Sequence, residues 1–289
     1  SEFPAEMKEY PTQLFAELAN PSASLNEILD KYNVEYSSIS TDAEIIYDLC
    51  LSTKLYRTLR ECVTSPLTIR EITSLVNNHI PVYLSGEAGT GKNVICKQVA
   101  HSLELEFYFT NAVTQEYKLT GFIDANGTFH ETQFYKAFTN GGLFFLDEMD
   151  ASIPETLIIL NAAIANGYFD FPTGKVEAHK DFYVIAAGNT TGTGADESYT
   201  GRYALDKASL DRFALVNIDY STSIERTLSQ NNEELIKFAH AFRKACKISS
   251  IKCLFTYRSI ERISTLESFM PLREVIQISL LKGMSIDDI

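Results

Sequence analysis

Gly86-Glu87-Ala88-Gly89-Thr90-Gly91-Lys92-Asn93 stands between two segments of different character. Ahead of it runs Ile80-Pro81-Val82-Tyr83-Leu84-Ser85, an apolar stretch that predicts a buried strand. Behind it, Val94 to Leu103 carries apolar residues at helical spacing. A GxxxxGK turn between strand and helix lets successive backbone N–H groups point inward at an anion. Glycine supplies the backbone freedom this needs, and the helix N-terminus adds positive potential. Lys92 then reaches the outer phosphates of a nucleoside triphosphate, and residues Gly86 through Val94 form the expected nucleotide-binding set. The eighth position departs from the pattern. Ser or Thr normally offers magnesium a hydroxyl there, whereas Asn93 offers an amide oxygen, which is also a hard ligand.

A second stretch, Gly141-Gly142-Leu143-Phe144-Phe145-Leu146-Asp147-Glu148, places four consecutive apolar residues before two carboxylates. An apolar run without alternation predicts a central parallel strand covered on both faces. Ligands of open α/β sheets bind at the C-terminal edge of such strands. Asp147 is therefore the expected magnesium ligand, and Glu148 the base that polarises the attacking water.

Phe182-Tyr183-Val184-Ile185-Ala186-Ala187-Gly188-Asn189 repeats the buried-strand pattern but ends in an amide, which can hydrogen-bond the attacking water or the terminal phosphate. Asp206-Lys207-Ala208-Ser209-Leu210-Asp211-Arg212-Phe213 then sets Arg212 just before a further strand, Phe213 to Ile218.

In that order and spacing the four motifs resemble an AAA+ ATPase, and more narrowly the MoxR-like and dynein-related branch that includes the cobaltochelatase ATPase subunit. The resemblance covers roughly residues 65–289. Leu119 to Phe129 falls where these relatives insert a small hairpin, and Tyr168 to Glu177 resembles their hairpin before the Asn-bearing strand. The resemblance implies ATP and Mg2+ as cofactors. It makes Asn189 the sensor 1 residue and Arg212 the arginine finger acting on a neighbouring subunit's nucleotide. Arg202, in Tyr199-Thr200-Gly201-Arg202, is a second candidate trans-acting arginine. Arg258, in Thr256-Tyr257-Arg258, sits at the sensor 2 position and is a candidate phosphate contact. A homo-oligomeric ring, usually a hexamer, and a protein client follow from the same resemblance. So does a partner encoded nearby, often one with a von Willebrand A domain.

The implied fold is α/β: a P-loop AAA+ core of parallel sheet flanked by helices, with an N-terminal helical segment and a C-terminal all-helical lid. The expected boundaries are 1–64, 65–220 and 221–289. Capping-box patterns at Ser24-Leu25-Asn26-Glu27 and Thr41-Asp42-Ala43-Glu44 place helices in the first segment. From Thr222 onward the apolar spacing is wholly helical.

At 289 residues and 45% hydrophobic the chain can bury a large core. No run is apolar enough for a membrane span and no signal-peptide pattern opens it, so a cytoplasmic location is expected. Cys50, Cys62, Cys96, Cys246 and Cys253 form no CxxC pair and read as reduced, buried thiols. The formal charge of −13 repels a phosphate backbone, which lowers the standing of nucleic acid as a partner. The function expected is ATP-driven remodelling or loading of a protein partner. The alternatives are a DNA-acting motor or loader, and a nucleotide-gated assembly protein with little turnover.

Overall fold

The computed structural model describes residues 69–195, 199–249, 251 and 253–281. The capping boxes at Ser24 and Thr41, the expected 1–64 segment, Cys50 and Cys62 lie outside the described residues.

Helix α1 (Ile69–Asn77) leads into β1 (Val82–Ser85), followed by α2 (Lys92–Ser102) and β2 (Phe107–Thr110). A short α3 (Tyr117–Thr120) precedes a two-stranded hairpin, β3 (Phe122–Ile123) and β4 (Phe129–His130). Then come α4 (Gln133–Asn140), β5 (Gly142–Leu146) and α5 (Pro154–Asn166), the last opened by a proline that needs no N–H partner there. A second hairpin, β6 (Tyr168–Phe171) and β7 (Gly174–Glu177), leads to β8 (Phe182–Gly188). Both hairpins fall where the sequence resemblance put them.

The short α6 (Lys207–Asp211) and β9 (Ala214–Asn217) complete a five-stranded sheet of order β2-β5-β8-β1-β9, parallel throughout. Its central strands are apolar for a physical reason. Successive side chains point to opposite faces, and both faces are covered. Phe144, Leu146, Val184, Ala186 and Tyr83 pack on one side with α4 and α5, around Phe134, Phe138, Leu157 and Leu160. Leu143, Phe145, Ile185, Ala187, Val82 and Leu84 pack on the other, against Ile72 and Val76 of α1 and Cys96 and Val99 of α2. Each fully buried aliphatic or aromatic side chain contributes about 1.5–3 kcal/mol.

Beyond the sheet are α7 (Thr222–Leu228), α8 (Glu233–Ser249), α9 (Tyr257–Leu266) and α10 (Leu272–Ser279). They close on their own apolar centre of Leu235, Ala239, Phe255, Ile260, Ile263 and Val275. No described helix is long and apolar enough to cross a membrane. Cys96 and Cys246 are buried, while Cys253 is half-buried, so the expectation of buried thiols fails at that one position. Its loop leaves the sulfur against the Leu280 carbonyl at 3.4 Å.

Candidate functional site

Strand β1 ends at Ser85, and the chain must turn away beside the end of β9. A Cβ on Gly86 would stand 2.1 Å from the Ile218 carbonyl oxygen, so only glycine permits this exit. Gly89 adopts a left-handed φ of 80°, and a Cβ there would stand 2.7 Å from Thr256 Cβ at the N-cap of α9. Lys92 opens α2 and is 8% exposed. Its ammonium has three donors, and three acceptors meet them: Gly86 O at 2.5 Å, Glu87 O at 3.0 Å and Asn189 Oδ1 at 3.1 Å. Burial pushes this ammonium down from 10.5 to about 8, Asp147 and Asp150 oppose the shift, and Arg202 and Arg258 add to it. At neutral pH Lys92 is therefore still cationic, in the mouth of the loop.

Strands β5, β8 and β1 are hydrogen-bonded neighbours, so parallel pairing brings their C-terminal tips together. This juxtaposes Asp147 and Glu148, Asn189, and the phosphate loop. Asp147 is half-buried, and its Oδ1 accepts the Glu148 N–H at 2.9 Å. Glu148 adopts a left-handed φ of 52°, which is uncommon for a residue with a side chain and often marks functional positions. That turn leaves its carboxylate 41% exposed at the strand's end.

Arg202, the second candidate trans-acting arginine, bridges two carboxylates of its own chain. It lies 3.2 Å from Glu148 Oε1 and 3.4 Å from Asp150 Oδ1, and its side chain is 11% exposed. Asp150 is fully buried. Its Oδ2 accepts the backbone N–H groups of Asn189 and Thr190 and the Thr190 hydroxyl, at 2.9, 2.9 and 3.0 Å. The sequence reading stopped at the Asp147-Glu148 pair and missed Asp150. Its signal was a third acid two positions further on, in a segment otherwise apolar.

Arg212 caps the C-terminus of α6, exposed, with Nη1 donating to the Ala208 carbonyl. Among the described residues no hydrogen bond or ion pair ties it to the Lys92–Glu148 cluster. Arg258 is exposed at the second position of α9, near enough to Lys92 for its charge to act there. Asn93 and Val94 are exposed in the first turn of α2. For magnesium the donor set fits: a half-buried carboxylate at a strand tip and an exposed amide in the turn beside the loop. Such an ion needs only one or two protein oxygens when phosphates and waters complete its shell. Among the described residues no cluster of three or more His, Cys, Asp or Glu offers an all-protein metal cage.

The contacts of three tyrosines and one arginine around the loop had no counterpart in the sequence reading. Tyr199 Oη accepts the Ala88 N–H at 2.9 Å, and Tyr220 Oη donates to the Ala88 carbonyl at 3.0 Å. Tyr257 Oη accepts the Ser221 N–H at 2.5 Å and its ring meets Tyr220 edge-on. The Arg243 guanidinium lies 3.7 Å over the Tyr220 ring and pairs with the fully buried Glu225. A separate cavity lies at the N-terminal ends of β1 and β8, lined by His79, Pro81, Phe182 and Tyr183 among others, and includes no residue of the loop.

Residues 81–213 match the family model of the AAA domain, dynein-related subfamily. An uncharacterized protein of Staphylococcus epidermidis is 28% identical over 224 residues, which span 68% of this chain and 81% of that protein. Among solved structures, a candidate ATPase from Cytophaga hutchinsonii is similar at 15% identity and a TM-score of 0.45, over 76% of this chain and 85% of that one. NtrX from Brucella abortus is similar at 14% identity and a TM-score of 0.45; the alignment covers 89% of this chain and 62% of NtrX.

Proposed function

We propose that this protein binds and hydrolyses ATP and uses the resulting motions to remodel or load a protein partner, as a MoxR-like member of the AAA+ class. The observation that carries the reading is the convergence of a buried lysine, a strand-tip carboxylate pair and a strand-tip amide on one sheet edge. The AAA-domain match over residues 81–213 supports the nucleotide half of it.

Each residue then has a chemical task. The N–H groups of the phosphate loop hold the nucleotide's phosphates. Lys92 exchanges its carbonyl acceptors for phosphate oxygens, a charge-assisted and stronger contact. Glu148 accepts the proton of the attacking water, which Asn189 orients. Asp147 and Asn93 would hold magnesium, whose charge would offset that of the outer phosphates. Arg258 supplies a further cation from residues 221–289, which act as the lid. Arg212, exposed and outside the cluster, completes the site of the next subunit in a closed ring of the hexameric kind. Heterologous interfaces of this sort close by rotation. The client is a protein, with a von Willebrand A domain protein as the candidate partner, and the site operates in the cytoplasm.

Mixing two inactive variants tests the ring. Lys92→Ala keeps its finger and Arg212→Ala keeps its loop, so hydrolysis should reappear where an intact loop meets an intact finger. Specific activity of the wild type should rise with protein concentration. Turnover independent of concentration, together with no rescue in the mixture, overturns the ring. Strong stimulation by single-stranded or duplex DNA would instead favour the DNA-acting alternative.

A further inference from the structure

Ala88 at the apex of the phosphate loop is held at both of its peptide groups, its N–H by Tyr199 and its carbonyl by Tyr220. Tyr199 begins a segment whose fourth residue, Arg202, bridges Glu148 and Asp150. The far end of this segment is fixed. Tyr203 N–H donates to the Asp150 carbonyl at 2.7 Å, Ala204 pairs with Thr193, and Leu205 N–H donates to the Gly192 carbonyl at 2.9 Å. Between these anchors Thr200 and Gly201 are exposed, and a Cβ on Gly201 would meet nothing within 4 Å.

We infer that Tyr199 and Arg202 are positioning residues joined by a short leash that makes the pose of Glu148 depend on the phosphate loop. This rests on the nucleotide-hydrolysis reading of the same site. Three peptide steps separate the two Cα atoms, so the leash reaches at most about 11 Å. A displacement of Ala88 that would carry Tyr199 beyond that reach must be passed to Arg202. Arg202 suits the task because its planar fork serves two carboxylates at once. The buried Asp150 attracts one arm as an ion pair at 3.4 Å, and the other arm donates a hydrogen bond to Glu148 Oε1 at 3.2 Å. Among the described residues no hydrogen bond engages Glu148 Oε2, which is the oxygen left to receive a proton. Asp150 also holds the backbone of Asn189, so the base and the amide that orients water share one buried anchor.

The test is a double-mutant cycle on the full chain, read as kcat for ATP and as Kd for a fluorescent ATP analogue. Tyr199→Phe removes one hydrogen bond to the loop and should weaken analogue binding about three- to tenfold. It should also lower kcat, because a displaced base is costly even when the displacement is small. Arg202→Met should lower kcat about tenfold or more while changing Kd far less. Arg202→Lys, which keeps a charge but cannot fork, should recover part of that loss. The decisive comparison is Tyr199→Phe in the Arg202→Met background, where it should still weaken binding but no longer lower kcat. A second variant, two glycines inserted between Thr200 and Gly201, keeps every side chain and lengthens the leash. It should reproduce the kcat loss of Tyr199→Phe with wild-type folding stability.

An equal kcat loss from Tyr199→Phe in both backgrounds, or an insertion that leaves kcat unchanged, overturns the leash. Lys92→Ala serves as the reference. If it binds the analogue as tightly as the wild type, the nucleotide reading fails; if it loses binding while Tyr199→Phe leaves kcat intact, the leash alone fails.

Discussion

Two regions of this molecule approach the phosphate loop by different physical routes. In the α/β region, Asp147, Glu148 and Asn189 each sit just past the end of an apolar strand and Lys92 opens the helix that follows the β1 loop, and parallel pairing of β5, β8 and β1 gathers them. Around the C-terminal helices the contact to the loop comes from Tyr220, just ahead of α7, which Tyr257, Arg243 and Glu225 back up and no strand aligns. A buried carboxylate gathers them instead. Glu225 is fully buried, accepts from Arg243 Nη1 at 2.5 Å, and lies 2.5 Å from His240 Nε2, while Arg243 also donates to the Phe255 carbonyl at 2.6 Å. Sheet topology can place a reactive group without any contact between side chains. A helical bundle needs a specific network to do the same, and its part of the site is then inseparable from its stability.

The largest expected effect breaks the first region chemically and leaves its fold alone. Glu148→Gln removes the proton acceptor and should lower hydrolysis about 10²–10⁴-fold while retaining nucleotide binding. Thermal stability should fall little, because the Glu148 side chain is 41% exposed and a glutamine amide oxygen can still accept from Arg202, itself 11% exposed. Lys92→Met should lose binding yet raise thermal stability at pH 7. The fall of the Lys92 ammonium from 10.5 to about 8 means that its folded surroundings, burial foremost, disfavour the charged form by about 3 kcal/mol in net. Wild-type turnover by Glu148→Gln would remove Glu148 from the mechanism.

The same logic inverts for the helical region. Arg243→Met leaves Glu225 buried with His240 as its remaining charged partner, and it removes the cation stacked on Tyr220. Loss of one member of a buried pair costs about 3–5 kcal/mol. Denaturant titration and hydrogen exchange should find that loss concentrated in α7, α8 and α9, with the sheet unaffected. Hydrolysis should fall only by the weakening of Tyr220's hold on Ala88. An Arg243→Met protein as stable as the wild type would show that the network does not gather this region.

The contrast also explains what could be read from sequence. The strands were legible because a segment buried on both faces must be apolar throughout, as Leu143-Phe144-Phe145-Leu146 is. The loop was legible because only glycine fits beside Ile218 and Thr256. Helix α8 was legible from its spacing, but its function was not, since Arg243 and Glu225 lie on different helices and pair only after packing. Arg202 shows the limit most clearly. Its neighbours in sequence gave no sign that it faces inward, and the direction was set by Asp150, an acid buried for reasons that lie in the Asn189 turn.

A smaller effect separates the two regions by pH. Lys92 loses its proton as pH rises through about 8, whereas a nucleotide's phosphates complete their own titration near pH 6. Between pH 7 and 9 the binding site should therefore weaken toward tenfold per pH unit above 8, with proton uptake on binding. The stability sign is opposite. The folded Lys92 is deprotonated between about 8 and its unfolded value of 10.5, so in that window the unfolded chain binds more protons and this group makes stability rise with pH. Affinity that stays flat to pH 9 would mean that Lys92 does not contact phosphate.

The smallest expected effect sharpens the comparison inside the loop itself. Asn93 is exposed in the first turn of α2, next to the buried Lys92, and it replaces a hydroxyl residue with an amide. Its oxygen is a hard donor of suitable reach, so substitution should act on metal use rather than on folding. Asn93→Thr should preserve or raise hydrolysis. Asn93→Ala should lower it several-fold at limiting magnesium and recover at saturating magnesium, because Asp147 remains as the other protein ligand. Neither change should move the melting temperature, since surface positions of this kind shift stability by about 0.5 kcal/mol or less. The magnesium titration decides the matter. Identical magnesium dependence in Asn93→Ala and wild type would assign the metal to Asp147 alone, and the amide would then be only a helix-terminal residue that the loop tolerates.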